Sequence, residues 1–258
     1  MTRFPIVCER ELRSAFRGPV AYAVIGLFML LHGVFFTQLM EEFSTNSFTH
    51  LTQGQVPDEM NLVDMMQRVL VISDAFLLLF LLPALTMRSM AEEWRQGTSD
   101  LLLSYPLRES EIILGKFAAY CVLLLGIVLL GAVYPASAAL FGRIEWPILL
   151  SGVAGLLLFG MAILAIGIFS STLTENQVVA FGIAWVLAFG MTLLTFWAKR
   201  VPEPWDGVLK HLSPTAHVDP LGYGMVRASD ILFFVSLIVL FLFLAAGVLE
   251  SRRWGRSR

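Results

Sequence analysis

The chain has 258 residues, 57% of them hydrophobic and only 15% charged, against roughly a quarter charged in an ordinary soluble domain. Eighteen Lys and Arg face 20 Asp and Glu, so the balance points neither to nucleic acid nor to a disordered acidic tail, and lipid is the expected solvent. The two cysteines, Cys8 and Cys121, are far apart and lie outside any CxxC or Cys/His cluster, which argues against a disulfide scaffold and against a metal site.

At the N-terminus Phe4, Cys8, Leu12 and Phe16 recur every fourth residue, while Arg10, Arg13 and Arg17 fall on another face. This is the pattern of an amphipathic helix lying in the headgroup region, with its arginines near anionic lipid. It reads either as a surface anchor or as a lever that touches a cytoplasmic partner. The first apolar stretch, Val20–Met40, contains no charged residue and is longer than the ~7–15 apolar residues of a signal peptide. At about 20 residues per crossing, it is the first span.

After a long outer loop, Glu41–Arg68, the second span runs from Val69 to Met87 and carries Asp74 and Pro83. Pro83 removes a backbone donor and predicts a kink. An ionisable group at membrane depth is a functional candidate, so Asp74 marks either a polar intramembrane site or a residue that snorkels or pairs near the interface. His32, alone in the first span, reads as a hydrogen-bonded packing residue.

The densest polar segment follows, TMRSMAEEWRQGTSDLLLSYPLRESEIILGK from Thr86 to Lys116. It predicts two short helices. Gly97 ends the first in a left-handed conformation, Thr98 or Ser99 caps the second, Leu101, Leu102 and Leu103 give it an apolar side, and Pro106 breaks it. Glu92, Glu93, Arg95 and Asp100 read as a solvated face, or as carboxylates and a base flanking a leucine ridge that inserts into a partner's groove. The next helix opens with Glu109 and Glu111 at the positive end of its dipole.

Three further charge-free stretches, Phe117–Gly142, Pro147–Thr174 and Asn176–Ala198, make spans three to five. Ala180, Ala184 and Ala188 form a smooth stripe on the fifth, suited equally to internal packing and to a subunit contact. Outside, Trp205, Val208, Leu209 and Leu212 between Pro204 and Pro214 predict a helix dipping into the outer leaflet. Ile231–Leu249 is the sixth span. The fold class is therefore all-α integral membrane, with six transmembrane helices and an N-terminal amphipathic interface helix. With both termini cytoplasmic, twelve of the eighteen Lys and Arg lie inside, as positive-inside insertion requires.

Enzymatic motifs are scarce. Gly115-Lys116 is followed by Phe117 and not by the Ser or Thr of a phosphate-binding loop, and the four histidines lack HExxH spacing. The chain is not expected to be an enzyme or to hold a cofactor or metal. Internal repeats and broken polar helices, which an ion-coupled secondary transporter would show, are not evident.

The run Pro83–Lys116 resembles the permeases of ABC-2 type transporters, closest to the gliding-motility-associated branch, whose pattern is PAxTMRxxxEE+xxGTxExLLxxPxxxxxIxLGK. SSTLTENQVVA, Ser170–Ala180, is similar to that family's turn between spans four and five, and His211–Phe234 to its final outer segment. Trp94, Asp100 and Arg108 depart from the family's usual base, Glu and capping Ser. The resemblance implies a single membrane domain over 1–258 in the bacterial inner membrane, acting as the permease subunit of an exporter. It also implies a cytoplasmic ATPase partner that binds ATP and Mg, and a second membrane subunit, identical or related. The coupling contact would fall on Glu92, Glu93, Arg95, Gly97, Thr98, Asp100, Leu101, Leu102 and Pro106, with Glu175 and Asn176 in the second inner turn. The alternative is a non-transporting scaffold or force-transducing anchor for an outer partner.

Overall fold

A backbone crossing lipid has no water to bond its N–H and C=O groups, so each apolar stretch satisfies them internally as a helix. The computed structural model describes residues 4–52, 62–97, 109–137 and 146–255. Within them ten helices follow one another: α1 (Phe4–Arg17), α2 (Pro19–Thr52), α3 (Leu62–Thr86), α4 (Ala91–Arg95), α5 (Glu109–Ser137), α6 (Trp146–Leu173), α7 (Gln177–Ala198), α8 (Trp205–Leu212), α9 (Pro214–Gly222) and α10 (Ala228–Gly255). No strand occurs among the described residues. Six helices are long and apolar enough to cross a membrane: α2, α3, α5, α6, α7 and α10.

α6 is the axis of the bundle. It packs against α3, α5, α7, α9 and α10, and Ala162 through Ile166 are fully buried. Close approach is bought with glycine: a Cβ at Gly160 would fall 2.7 Å from Leu124 on α5, and one at Gly155 would fall 2.9 Å from Leu221 on α9. A Cβ at Gly167 would sit 2.0 Å from Thr86 Oγ1, whose hydroxyl donates to the Leu82 carbonyl at 2.9 Å.

The six spans fall where the apolar stretches predict. α5 begins at Glu109, with Glu109 and Glu111 in its first turn as expected, so it starts about two turns ahead of the charge-free stretch at Phe117 and carries Lys116 into the protein interior. The expected outer loop Glu41–Arg68 is helical at both ends, α2 running on to Thr52 and α3 starting at Leu62. Ala180, Ala184 and Ala188 are buried within this chain, so that stripe is spent on packing α7 against its own neighbours and not on a subunit contact.

α1 does not simply float on lipid. Its Val7, Cys8, Glu11, Leu12 and Ala15 face is turned inward and packs along α5. Phe16 stays 40% exposed and meets Tyr22 edge-on at 5.7 Å. At the opposite end of the bundle α8 forms as the Trp205–Leu212 spacing predicts, with Trp205, Val208 and Leu212 exposed. Asp206 is held below the usual carboxylate range by hydrogen bonds from Lys210 and the Gly207 N–H. The helix that sequence periodicity misses is α9. Pro214 bounds α8 as expected and also occupies the first turn of the next helix, where its missing N–H costs nothing.

Candidate functional site: a charged knot at one end of the bundle

The turn after α3 brings Glu93 of α4 against α5, and the docking of α1 brings Glu11 to the same place. Between them lies Lys116, whose side chain is 1% exposed. Its Nζ donates to Glu11 Oε1 at 2.9 Å, to the Ser89 carbonyl at 2.7 Å and to Glu93 Oε1 at 3.0 Å. An ammonium has three hydrogens, and all three are used. Arg10 Nη2 completes the group, 3.0 Å from Glu11 Oε1 and 3.2 Å from Glu93 Oε1. Two cations thus face two carboxylates, the condition under which buried charge is tolerated. Burial by itself raises the Glu11 carboxyl, but Lys116 and Arg10 outweigh it and hold the group below its ordinary range.

A second tie closes the same end. Arg88 Nε donates to Gln177 Oε1 at 3.1 Å, linking the exit of α3 to the entry of α7. Arg252, on α10, donates to the Leu173 carbonyl at 2.8 Å and lays its guanidinium 4.7 Å from the centre of the Trp94 ring. Trp94 is the position at which the motif departs from a base, and Arg252 supplies a cation there through space. A cleft of about 740 Å³ opens beside the knot, lined by Arg17, Arg88, Glu92, Gln96 and Gln177 among others.

The sequence-selected residues divide accordingly. Glu92 is half-buried and accepts from Arg95 at 2.8 Å, while Arg95, Gln96 and Gly97 are exposed. Gly97 has φ +67°, the left-handed turn expected to end α4. Glu93, chosen as an outward-facing coupling carboxylate, points instead into the knot. Asn176 Oδ1 caps α7 by accepting from Val178 N at 2.9 Å, and Glu175 beside it is exposed. Arg13 pairs with Glu9 on the outer side of α1, Arg17 is exposed, and Arg10 turns to the knot. Thr98, Asp100, Leu101, Leu102 and Pro106 lie outside the described residues. The sequence reading missed Glu11 and the structural role of Lys116. The available signal was a carboxylate on the apolar side of α1, adjacent to Leu12.

Asp74 lies apart from this end. It pairs inside the bundle with His32, Nδ1 to Oδ1 at 2.6 Å. Among the described residues no group of three or more His, Cys, Asp or Glu is placed to hold a metal.

Six helices long and apolar enough to cross a membrane, with an N-terminal helix tied to a polar connection at one end, define a polytopic membrane protein. A model of the family described as ABC-2 family transporter protein matches residues 6–254. The chain belongs to that family, whose members are membrane subunits that work with an ATPase carried on a separate subunit. No curated protein matches it.

Proposed function

We propose that this chain is the permease half of an ABC exporter in a bacterial inner membrane, a single domain with both termini cytoplasmic. It is driven by a cytoplasmic ATPase that binds ATP and Mg and docks on the end of the bundle carrying Glu92, Arg95, Gly97 and the 98–108 connection, with Glu175 and Asn176 at its margin. One observation carries the reading: the exposed turn at Arg95–Gly97 follows directly on Glu93, which Lys116 ties to both α1 and α5. A push on that turn is therefore delivered to two helices rather than absorbed in a loop. Glu93 acts as the inner anchor of the device, and Arg95 and Gly97 form its outer face. The Pro83–Lys116 motif supports the gliding-motility-associated branch. The permease pairs with a second membrane subunit, identical or related, through faces other than the buried alanine stripe. α2 and α7 are the least buried spans and the best candidates.

The test compares Glu92→Lys/Arg95→Glu with Glu41→Lys/Glu42→Lys at the opposite end, reading co-purification of the ATPase and its turnover. A desolvated charged contact at a docking surface costs about 2–5 kcal/mol when one side is lost, so the first variant should release the ATPase and the second should not. Equal effects at both ends would place the ATPase elsewhere. Intact docking with no cargo-dependent turnover would favour the scaffold.

A further inference from the structure

Two histidine–aspartate pairs occur in the bundle, and they differ at one atom. At the end bearing α8 and α9, His217 Nδ1 lies 2.7 Å from Asp230 Oδ1, and its Nε2 lies 3.1 Å from the His211 carbonyl oxygen. A carbonyl can only accept, so Nε2 carries a hydrogen and is satisfied. Inside the bundle, His32 and Asp74 form the same Nδ1–Oδ1 contact at 2.6 Å, with side chains 1% and 7% exposed. Here Nε2 is buried with no acceptor among the described residues.

Proton counting decides what that atom is. A single hydrogen joins Nδ1 to Oδ1, whichever of them holds it. A pair of net charge −1 would bury an uncompensated carboxylate, which is strongly unfavourable, and the ion-pair partner of Asp74 among the described residues is His32. Two net-neutral forms remain. If imidazolium faces carboxylate, both ring nitrogens carry hydrogen. If neutral imidazole accepts from a carboxylic acid at Nδ1, the ring hydrogen sits on Nε2. Either way Nε2 is a donor, and a buried donor left without an acceptor forfeits the bond it would make to water.

The surroundings supply what the atom lacks. His32 and Asp74 line a cavity together with Gly131, Pro135, Ile148 and Gly152, and the space open to the centres of water-sized spheres is about 30 Å³. One water needs roughly 10–15 Å³ by that measure. Pro135 lies inside α5 and has no N–H for the carbonyl of Gly131 one turn earlier, and both residues face the cavity. Glycine at 131 also leaves the imidazole uncovered, since a Cβ there would stand 3.8 Å from His32 Cε1 and 3.0 Å from Phe28.

We propose that this cavity is an intramembrane water-binding site, in which a water accepts from His32 Nε2 and donates towards the Gly131 carbonyl. The pair thereby holds α2 to α3 and keeps its ring hydrogen in exchange with water. The site belongs to the fold and is independent of which partner drives the bundle.

The experiment is water-edited solid-state NMR on ¹⁵N-histidine-labelled full-length protein in bilayers, with the His32 signals assigned by their loss in His32→Gln. The expected spectrum shows a protonated Nε2 that receives magnetisation from water, and loses that transfer in Gly131→Leu or Ile148→Phe, which fill the cavity from two different helices. Because the wild-type spectrum is read on its own, misfolding of a filled variant does not rescue the idea. An Nε2 without hydrogen, or a protonated one receiving nothing from water, overturns it.

Discussion

Lys116 and Glu11 are 105 positions apart in sequence, and their Nζ and Oε1 atoms lie 2.9 Å apart. This contact turns the N-terminal helix from a passenger on the membrane surface into a part of the bundle, because α1 cannot leave α5 without stranding a buried ammonium and a largely buried carboxylate. Glu93 makes the same bargain from α4. α4 and α1 are therefore both tied to α5 at Lys116, about two turns from its start.

Removing the cation alone should be worse than removing the whole group. Lys116→Met takes the buried ammonium away from Glu11 and Glu93, and breaking a buried pair on one side costs about 3–5 kcal/mol. The triple variant Glu11→Gln/Glu93→Gln/Lys116→Met should recover much of that loss. Thermal unfolding in a fixed detergent measures both, and a triple variant no better than Lys116→Met would deny that the charges are mutually dependent.

Docking of α1 should also be acid-sensitive. The Glu11 carboxyl lies below its ordinary value in the folded protein, so its contribution is complete above the unfolded value of about 4.3 and is lost as pH falls through the lowered folded value. Spin labels on α1 and α5 should report a constant distance at neutral pH and a release only under acid conditions below the normal glutamate range. In Glu11→Gln the ionisation is gone, so the acid-dependent step should shrink.

Gly167 is predicted to be intolerant of even one methyl group. Its Cβ would collide with Thr86 Oγ1, which is held by its own hydrogen bond, and overpacking of this kind costs about 1–3 kcal/mol. Gly182, with nothing within 4 Å, should accept alanine freely. Unfolding midpoints of Gly167→Ala, Gly182→Ala and Gly167→Ala/Thr86→Ala check this, the last expected to lie between the other two.

Labels along Trp205–Leu212 should distinguish an interfacial helix from a solvated one. Trp205, Val208 and Leu212 are exposed and apolar, while Lys210 pairs with Asp206 at 3.0 Å. Oxygen accessibility should rise at 205, 208 and 212 and fall at 206 and 210; a flat profile in water would leave α8 outside the bilayer.

Orientation has its own test. Reporter fusions after Arg258 and within Gln53–Asp58 should report opposite sides, with the C-terminus cytoplasmic. A shared side would contradict six crossings, and a reversed one would move the ATPase-facing end.

What the sequence determined by itself is what depends on neighbours along the chain. Apolar length sets the six crossings, a four-residue period sets α1 and α8, and a glycine free to take φ +67° ends α4. Each rests on the hydrogen bonding and sterics of a few adjacent residues. The tertiary structure alone decided partners. Periodicity could place Glu93 on a helix face but could not say that the face turns towards Lys116, nor that Asp74 answers to His32, 42 residues away. It left the alanine stripe open between packing and assembly, and packing against the chain's own helices took it. It let α9 pass unseen, since a short helix that starts with proline and buries His217 carries no long apolar period. The reason is common to all four cases: in a low-dielectric interior a polar or small side chain is defined by whatever packing brings within about 3 Å of it, and that neighbour comes from a distant part of the chain.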